Sequence, residues 1–236
     1  YGIDGWRLDV SDEVSHDLWR AFRKAVKGCN AECIIIGENW HDASNYLRGD
    51  QYDSIMNYAF TKACLDYFAT GAANAEQTAW KLNDILARNT DTVNSMMLNL
   101  LDSHDTHRFF TEVEMDREKM AAALHLLFLF PGVPCIFYGT EFYMEGGYDP
   151  DCRRCMDWSG YEAGRYDEPV QLIQKLAALR RKYGLADAET VITAQSEILI
   201  VKRRLKEIEL SLYINLSDQE AAVDGRIVRA HSYLLL

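Results

Sequence analysis

The sequence predicts an α/β fold: a parallel sheet joined by helical crossovers, then a small antiparallel β unit. Three observations predict it. Short apolar runs recur that end in charged or polar residues. Helix-periodic stretches separate them. From Glu189 onward the pattern turns to alternation of apolar and polar residues between short turns.

The first strand is expected over 2–10, which reads G-I-D-G-W-R-L-D-V. With side chains alternating across a strand, Gly5, Arg7 and Asp9 share one face, and Trp6, Leu8 and Val10 the other. A guanidinium two residues from a carboxylate keeps the acid ionised and oriented, which suits a nucleophile. A surface ion pair closing a core strand reads equally well from this stretch alone. A helix follows over 15–27, with Leu18, Trp19, Phe22, Ala25 and Val26 on one face, Ser15 or Asp12 as its N-cap and Gly28 as its stop. The run 33–38 (C-I-I-I-G-E) has the continuous apolar character of a strand buried on both sides.

A weaker strand is expected over 52–57, with helices over 59–69 and 77–88. A further strand over 95–101 leads into D-S-H-D-T-H-R at 102–108. A helix over 117–130 is stopped by Pro131-Gly132, and a fifth strand over 133–138 leads to Gly139 and Glu141. The last helix spans 168–183, with Gly184 at its C-cap. Strands over 190–194, 198–203, 209–216 and 231–236 complete the antiparallel unit. The expected domains are thus 1–186 and 187–236.

Composition narrows the partners. A length of 236 residues with 48% hydrophobic content supports a sizeable core. The net charge of -11 argues against nucleic acid or an anionic membrane surface as the main partner. No apolar run approaches the roughly 20 residues of a membrane span. No secretory signal is evident, and a cytoplasmic location is expected. The chain begins at what reads as the inside of a fold, so residues are expected to precede it. Six cysteines in a chain of this size form no disulfide framework. Cys29, Cys33, Cys64 and Cys135 are expected as small core residues. Cys152 and Cys155 form a C-x-x-C without the second pair a zinc site needs, so neither metal nor redox use is expected of it.

Ligands of parallel α/β folds collect beyond the carboxyl ends of the strands. Arg7/Asp9, Glu38, His104/Asp105 and Tyr138/Glu141 all fall there. Asp9 and Glu38 are one strand-helix unit apart, so their carboxyls are expected to face a common opening. Two carboxylates, one held charged and one able to carry a proton, are the minimal kit for glycosidic bond cleavage. Glu38 follows three isoleucines and precedes Trp40; apolar walls would raise its pKa and favour a general acid. A metal-centred alternative would want more histidines or acids nearby, and only His104 is well placed. Nucleotide-binding glycine motifs and the G-x-S-x-G elbow are missing.

The segments D-G-W-R-L-D-V, G-E-N-W-H, L-L-D-S-H-D-T and G-V-P-C-I-F-Y-G-T-E resemble, in order, the strand-end motifs of the α-amylase family of retaining glycoside hydrolases. G-D-Q-Y-D-S-I-M-N-Y and G-G-Y-D-P-D-C-R-R-C-M-D-W are similar to the neopullulanase, cyclomaltodextrinase and maltogenic amylase branch. The resemblance covers about 1–158. It implies the C-terminal part of a TIM (β/α)8 barrel, about strands 4 to 8, acting on α-glucan oligosaccharides. It implies Asp9 as nucleophile, Glu38 as acid and base, and Asp105, aided by His104, as the group that binds sugar hydroxyls. Arg7 would keep Asp9 ionised. Trp40 and His41 would line sugar subsites, unless Trp40 is a core residue. Glu13 would influence acceptor binding, unless it is a solvated helix-start acid. Tyr138 and Glu141 are expected to be structural. No cofactor is implied; calcium is an option only for a longer parent.

Asn39 stands where the branch usually has an aliphatic residue, and His107 where it usually has proline. The first three barrel strands are absent from this stretch. A sheet lacking them would keep raw edges and an open inner face. The expectation is therefore a missing N-terminal half or a homodimer, and a chain nearly inactive alone. Two other classes stay open: a non-catalytic carbohydrate-binding relative, and a transglycosylase or isomerase on the same scaffold.

Overall fold

Strand order follows chain order in the parallel sheet of the computed structural model, which describes residues 2–236. Its strands are β1 (Gly5–Leu8), β2 (Ile34–Gly37), β3 (Ser54–Ile55), β4 (Leu98–Leu100) and β5 (Val133–Cys135). β1 pairs with β2, β2 with β3, and β4 with β5, all parallel. A parallel bridge between Met56 and Leu98 joins the two groups.

The strands after β2 are shorter than expected, for local reasons. At Asp53 a side chain takes the ladder position, its carboxylate accepting the Ile35 N–H at 2.9 Å. Ahead of β4, Ser95 and Met96 are still wound, their N–H groups donating to the Asp91 and Val93 carbonyls. Pro134 in β5 has no N–H to give. Gly132, just before β5, has φ of 111°, and a Cβ there would lie 2.6 Å from Met97 O. Only glycine fits that approach.

The helices in chain order are α1 (His16–Cys29), α2 (Tyr58–Cys64), α3 (Ala75–Ala87), α4 (Asp91–Asn94), α5 (Phe109–Glu112), α6 (Arg117–Leu129), α7 (Trp158–Glu162) and α8 (Asp167–Lys182). Ser15, not Asp12, caps α1, and Gly28 lies inside it, since the helix runs on to Cys29. Cys29 is consequently exposed rather than core; Cys33 and Cys64 are buried, and Cys135 is half-buried. α2 gives way to a π-helical turn at Leu65–Ala69, where an α-helix was expected to continue. Asn74 and Gln77 form a reciprocal capping box that starts α3 two residues early.

The C-terminal strands are β6 (Glu189–Gln195), β7 (Ile198–Leu205), β8 (Ile208–Asn215), β9 (Ala221–Val223), β10 (Arg226–Val228) and β11 (Ser232–Leu235). Four of them form an antiparallel sheet in the order β11-β8-β7-β6, and β9 and β10 form a hairpin that alternation did not reveal. This sheet shares its core with the helices: Leu199, Val201, Leu212 and Ile214 pack in one cluster with Leu82 of α3 and the almost wholly buried α6. Arg203 fastens the junction. It is buried, and its guanidinium donates to the carbonyls of Leu129, Leu185 and Ala188, while Arg180 serves those of Phe128 and Gly132. The end of α6 thus receives two cations where a helix exposes unpaired carbonyls. Burial pushes the Arg203 guanidinium down to about 10.

A second cluster, with Leu8, Trp19, Ile35, Tyr52, Ile55 and Met97, packs the outer face of the parallel sheet under α1. The inner face is less covered, with Ile34 and Val133 exposed. Among the described residues no helix is long and apolar enough to cross a membrane.

Candidate active site

The site begins where β1 and β2 end side by side. Leu8 is in register with Gly37, so Asp9 and Glu38 leave the sheet at the same level. Gly37 is required there: a Cβ would sit 2.6 Å from the Tyr52 ring and 2.9 Å from Ser11 Oγ. Ser11 ties the two turns together, donating through N (3.1 Å) and Oγ (2.6 Å) to the Glu38 carbonyl.

Arg7 lies between the two acids. One arm of its guanidinium donates to Asp9 Oδ1 and the other to Glu38 Oε1. The second Glu38 oxygen accepts the Val10 N–H at 3.0 Å. Val10 adopts a left-handed conformation, φ 45°, which is costly for a β-branched residue. Glu38 is 2% exposed and anchored through both oxygens, whereas the Asp9 side chain is 73% exposed. The hydrogen bond from Arg7 holds the Asp9 carboxyl below its usual range, with Glu38 and His104 pulling the same way. The apolar wall expected around Glu38 is not what meets its carboxyl. Its partners are a guanidinium and a backbone N–H.

The second half of the site is the turn after β4. Asp102 is buried and structural, accepting the Phe109 N–H at 2.9 Å and the Thr140 hydroxyl at 2.7 Å; burial pushes its carboxyl up. Beyond it His104 Nε2 lies 3.0 Å from Asp105 Oδ2. Ligand atoms of Glu38, His104 and Asp105 all lie within 4.8 Å of one another. Asp9, Glu38, Asp105, Arg7 and His104 therefore converge on one opening, although Glu38 and Asp105 are far apart in sequence.

Two residues of this neighbourhood had no role in the sequence reading. Arg153 donates to Asp105 Oδ1 at 3.2 Å and to the His104 carbonyl at 3.0 Å, and pairs with Asp149. Tyr58 stacks on Trp40, ring centroids 3.8 Å apart at 8°. Both fall in the two branch-like segments, and that was their only signal. Trp40 keeps its other face towards solvent, so it is not a core residue. His41 is exposed beside it, its N–H bonded to Asn39 Oδ1. Glu13 is exposed on a 3-10 turn, Ser11–Glu13, outside the ion-pair cluster. Tyr138 donates to the Arg154 carbonyl, and Arg108 lies buried against its ring and Phe137.

The Glu38–His104–Asp105 group is a poor calcium shell, since calcium takes roughly six to eight oxygens. Here one of three ligands is an imidazole, and Arg7 and Arg153 already compensate the carboxylates. Cys152 is buried, donating to the His104 carbonyl, and Cys155 is exposed.

A converging set of ion-paired acids at the ends of parallel strands is what glycosidic chemistry needs, and comparison with known proteins agrees. The family model for the alpha amylase catalytic domain matches residues 1–209, and the chain belongs to that family. Within it, the chain is 46% identical over 184 residues to a cyclomaltodextrinase of a Bacillus species, covering 76% of this chain and 33% of that protein. It is 44% identical over 185 residues to neopullulanase 2 of Thermoactinomyces vulgaris, covering 76% of this chain and 32% of that protein. The resemblance to this branch is borne out. In structure it is similar to the ligand-free cyclic alpha-maltosyl-(1→6)-maltose hydrolase of Arthrobacter globiformis, with a TM-score of 0.92 at 29% identity, over 100% of this chain and 55% of that one. The chain spans about a third of the length of the two curated relatives.

Proposed function

We propose that this chain carries the acid-base half of an α-glucan hydrolase that works with retention through a covalent glucosyl-enzyme. The observation that carries the reading is the shared guanidinium: Arg7 holds the Asp9 and Glu38 carboxyls side by side, one open to solvent and one buried. In this reading ionised Asp9 attacks the anomeric carbon as Glu38 gives its proton to the leaving oxygen; Glu38 then takes a proton from water as that water releases the sugar. Asp105, steadied by His104 and Arg153, binds the hydroxyls of the same ring. Trp40 offers its free face to a neighbouring sugar, His41 lies beside it, and Glu13 is left for the acceptor side. The names of the relatives point to cyclomaltodextrins and pullulan, and maltodextrins are proposed with them as the substrate class.

The finer reading has the parallel strands as about the fourth to eighth of an eight-stranded barrel, with domains at 1–186 and 187–236. The open inner face then takes a further chain segment or a second copy. The chemistry needs no resident metal, and a cytoplasmic location fits the substrate class. The chain alone is expected to act slowly. The test is 1H NMR of p-nitrophenyl maltoside and cyclomaltodextrin digests. Slow, Asp9-dependent release of the α-anomer first is expected. A β-anomer first, or a D9N variant as active as the parent chain, overturns the reading. New glucosidic linkages as the dominant product would favour a transglycosylase instead.

A further inference from the structure

The Trp40 platform and the Asp105 turn belong to different strands, yet one side chain touches both. Tyr58, the first residue of α2, is buried. Its ring lies flat against Trp40. Its hydroxyl donates to Ser103 Oγ at 3.2 Å, and the same Oγ accepts the Asp105 N–H at 3.2 Å. Ser103 is itself buried, and its own N–H donates to Thr106 Oγ1 at 2.9 Å, which closes the turn. Helix geometry fixes where the ring starts from: Asn57 caps α2 by accepting the Phe60 N–H, and Asn57 Nδ2 donates to Asn99 Oδ1 on β4 at 2.8 Å.

We propose that Tyr58 is a positioning residue that couples the sugar platform Trp40 to the hydroxyl-binding turn of Asp105, acting through Ser103 and touching no substrate. The inference rests on the functional reading above, which makes Trp40 and Asp105 sugar-facing groups, and adds how they are kept in step. Three physical features support it. The two rings lie flat on one another, centroids 3.8 Å apart at 8°, so a displacement of the Trp40 indole is met directly by the Tyr58 ring. Burial pushes the Tyr58 hydroxyl up to about 12, so it keeps the proton that it gives to Ser103 Oγ. Ser103 Oγ has two lone pairs, which the Tyr58 hydroxyl and the Asp105 N–H both use, so Tyr58 holds in place the acceptor of the Asp105 N–H.

The test reads hydrogen exchange at the Asp105 amide of the 236-residue chain by NMR. Tyr58→Phe keeps the stack and removes the hydroxyl; exchange at Asp105 is expected to rise about fivefold, the worth of one ordinary hydrogen bond. Ser103→Ala is expected to match it, and Ser103→Thr, which keeps an oxygen, to restore the parent rate. Trp40→Ala is expected to raise the rate in the parent chain and to add nothing in the Tyr58→Phe background. An Asp105 rate unchanged by Tyr58→Phe, or a Trp40→Ala effect equal in both backgrounds, overturns the coupling. A chain that shows the coupling but takes no glucosyl label on Asp9 from a 5-fluoro-α-glucosyl fluoride overturns the catalytic reading alone. Turnover with an Asp105 amide indifferent to Tyr58 overturns this inference alone.

Discussion

At the scale of single residues, Arg7 governs the charge of the site. Its two arms serve two carboxylates, a task that one lysine ammonium on a flexible stem performs less well. Replacing Arg7 by methionine is expected to return the Asp9 carboxyl towards its ordinary range, read by 13C titration; an unmoved Asp9 would show that other charges hold it. Gly37 makes a separate prediction. Gly37→Ala drives a Cβ into Tyr52 and Ser11, so a loss of about 1–3 kcal/mol in urea unfolding is expected. The Arg7–Asp9 pair was legible in the sequence because strand alternation puts i and i+2 on one face. The links of Arg153 to Asp105 and of Tyr58 to Ser103 were not. They join residues 48 and 45 apart through loops whose course no local pattern encodes.

At the scale of elements, helices with strong caps and long periodic runs were legible, and the short strands less so. Pattern alone could not tell that Asp53 would replace a backbone partner. The β9–β10 hairpin is too brief to alternate visibly. Helix α6 carries its own prediction. His125 is buried there, bonded to the Ala121 carbonyl and packed against Tyr233 of β11. Burial lowers its pKa below the ordinary 6.5. The unfolded chain therefore binds a proton that the folded chain refuses, and stability falls as pH drops below about 6.5. Melting curves from pH 7 to 5 are expected to fall less steeply for His125→Leu than for the parent; parallel curves would rule out this histidine as the source. One turn further along the same helix, Arg203→Met leaves the carbonyls of Leu129, Leu185 and Ala188 short of a donor, and a loss of roughly 3 kcal/mol is expected in urea unfolding.

At the scale of the whole molecule, the parallel sheet is covered by α1 on its outer face, while Ile34 and Val133 are exposed on its inner face. Such a face favours association. Sedimentation is expected to give a mass above 27.1 kDa at micromolar concentration, and a monomer throughout would show that the open face is tolerated alone. Among the described residues no hydrogen bond or ion pair joins the antiparallel sheet to the acid cluster; its contribution is the shared core with α3 and α6, which steadies the helices behind β4 and β5. The gathering of Asp9, Glu38 and Asp105 about one sugar ring is reached most directly by covalent trapping, which accumulates product even when turnover is slow. Incubating the chain with a 5-fluoro-α-glucosyl fluoride and mapping the adduct by peptide mass spectrometry is expected to find one glucosyl group on Asp9. An adduct on any other residue, or labelling that persists undiminished in the D9N variant, would contradict it.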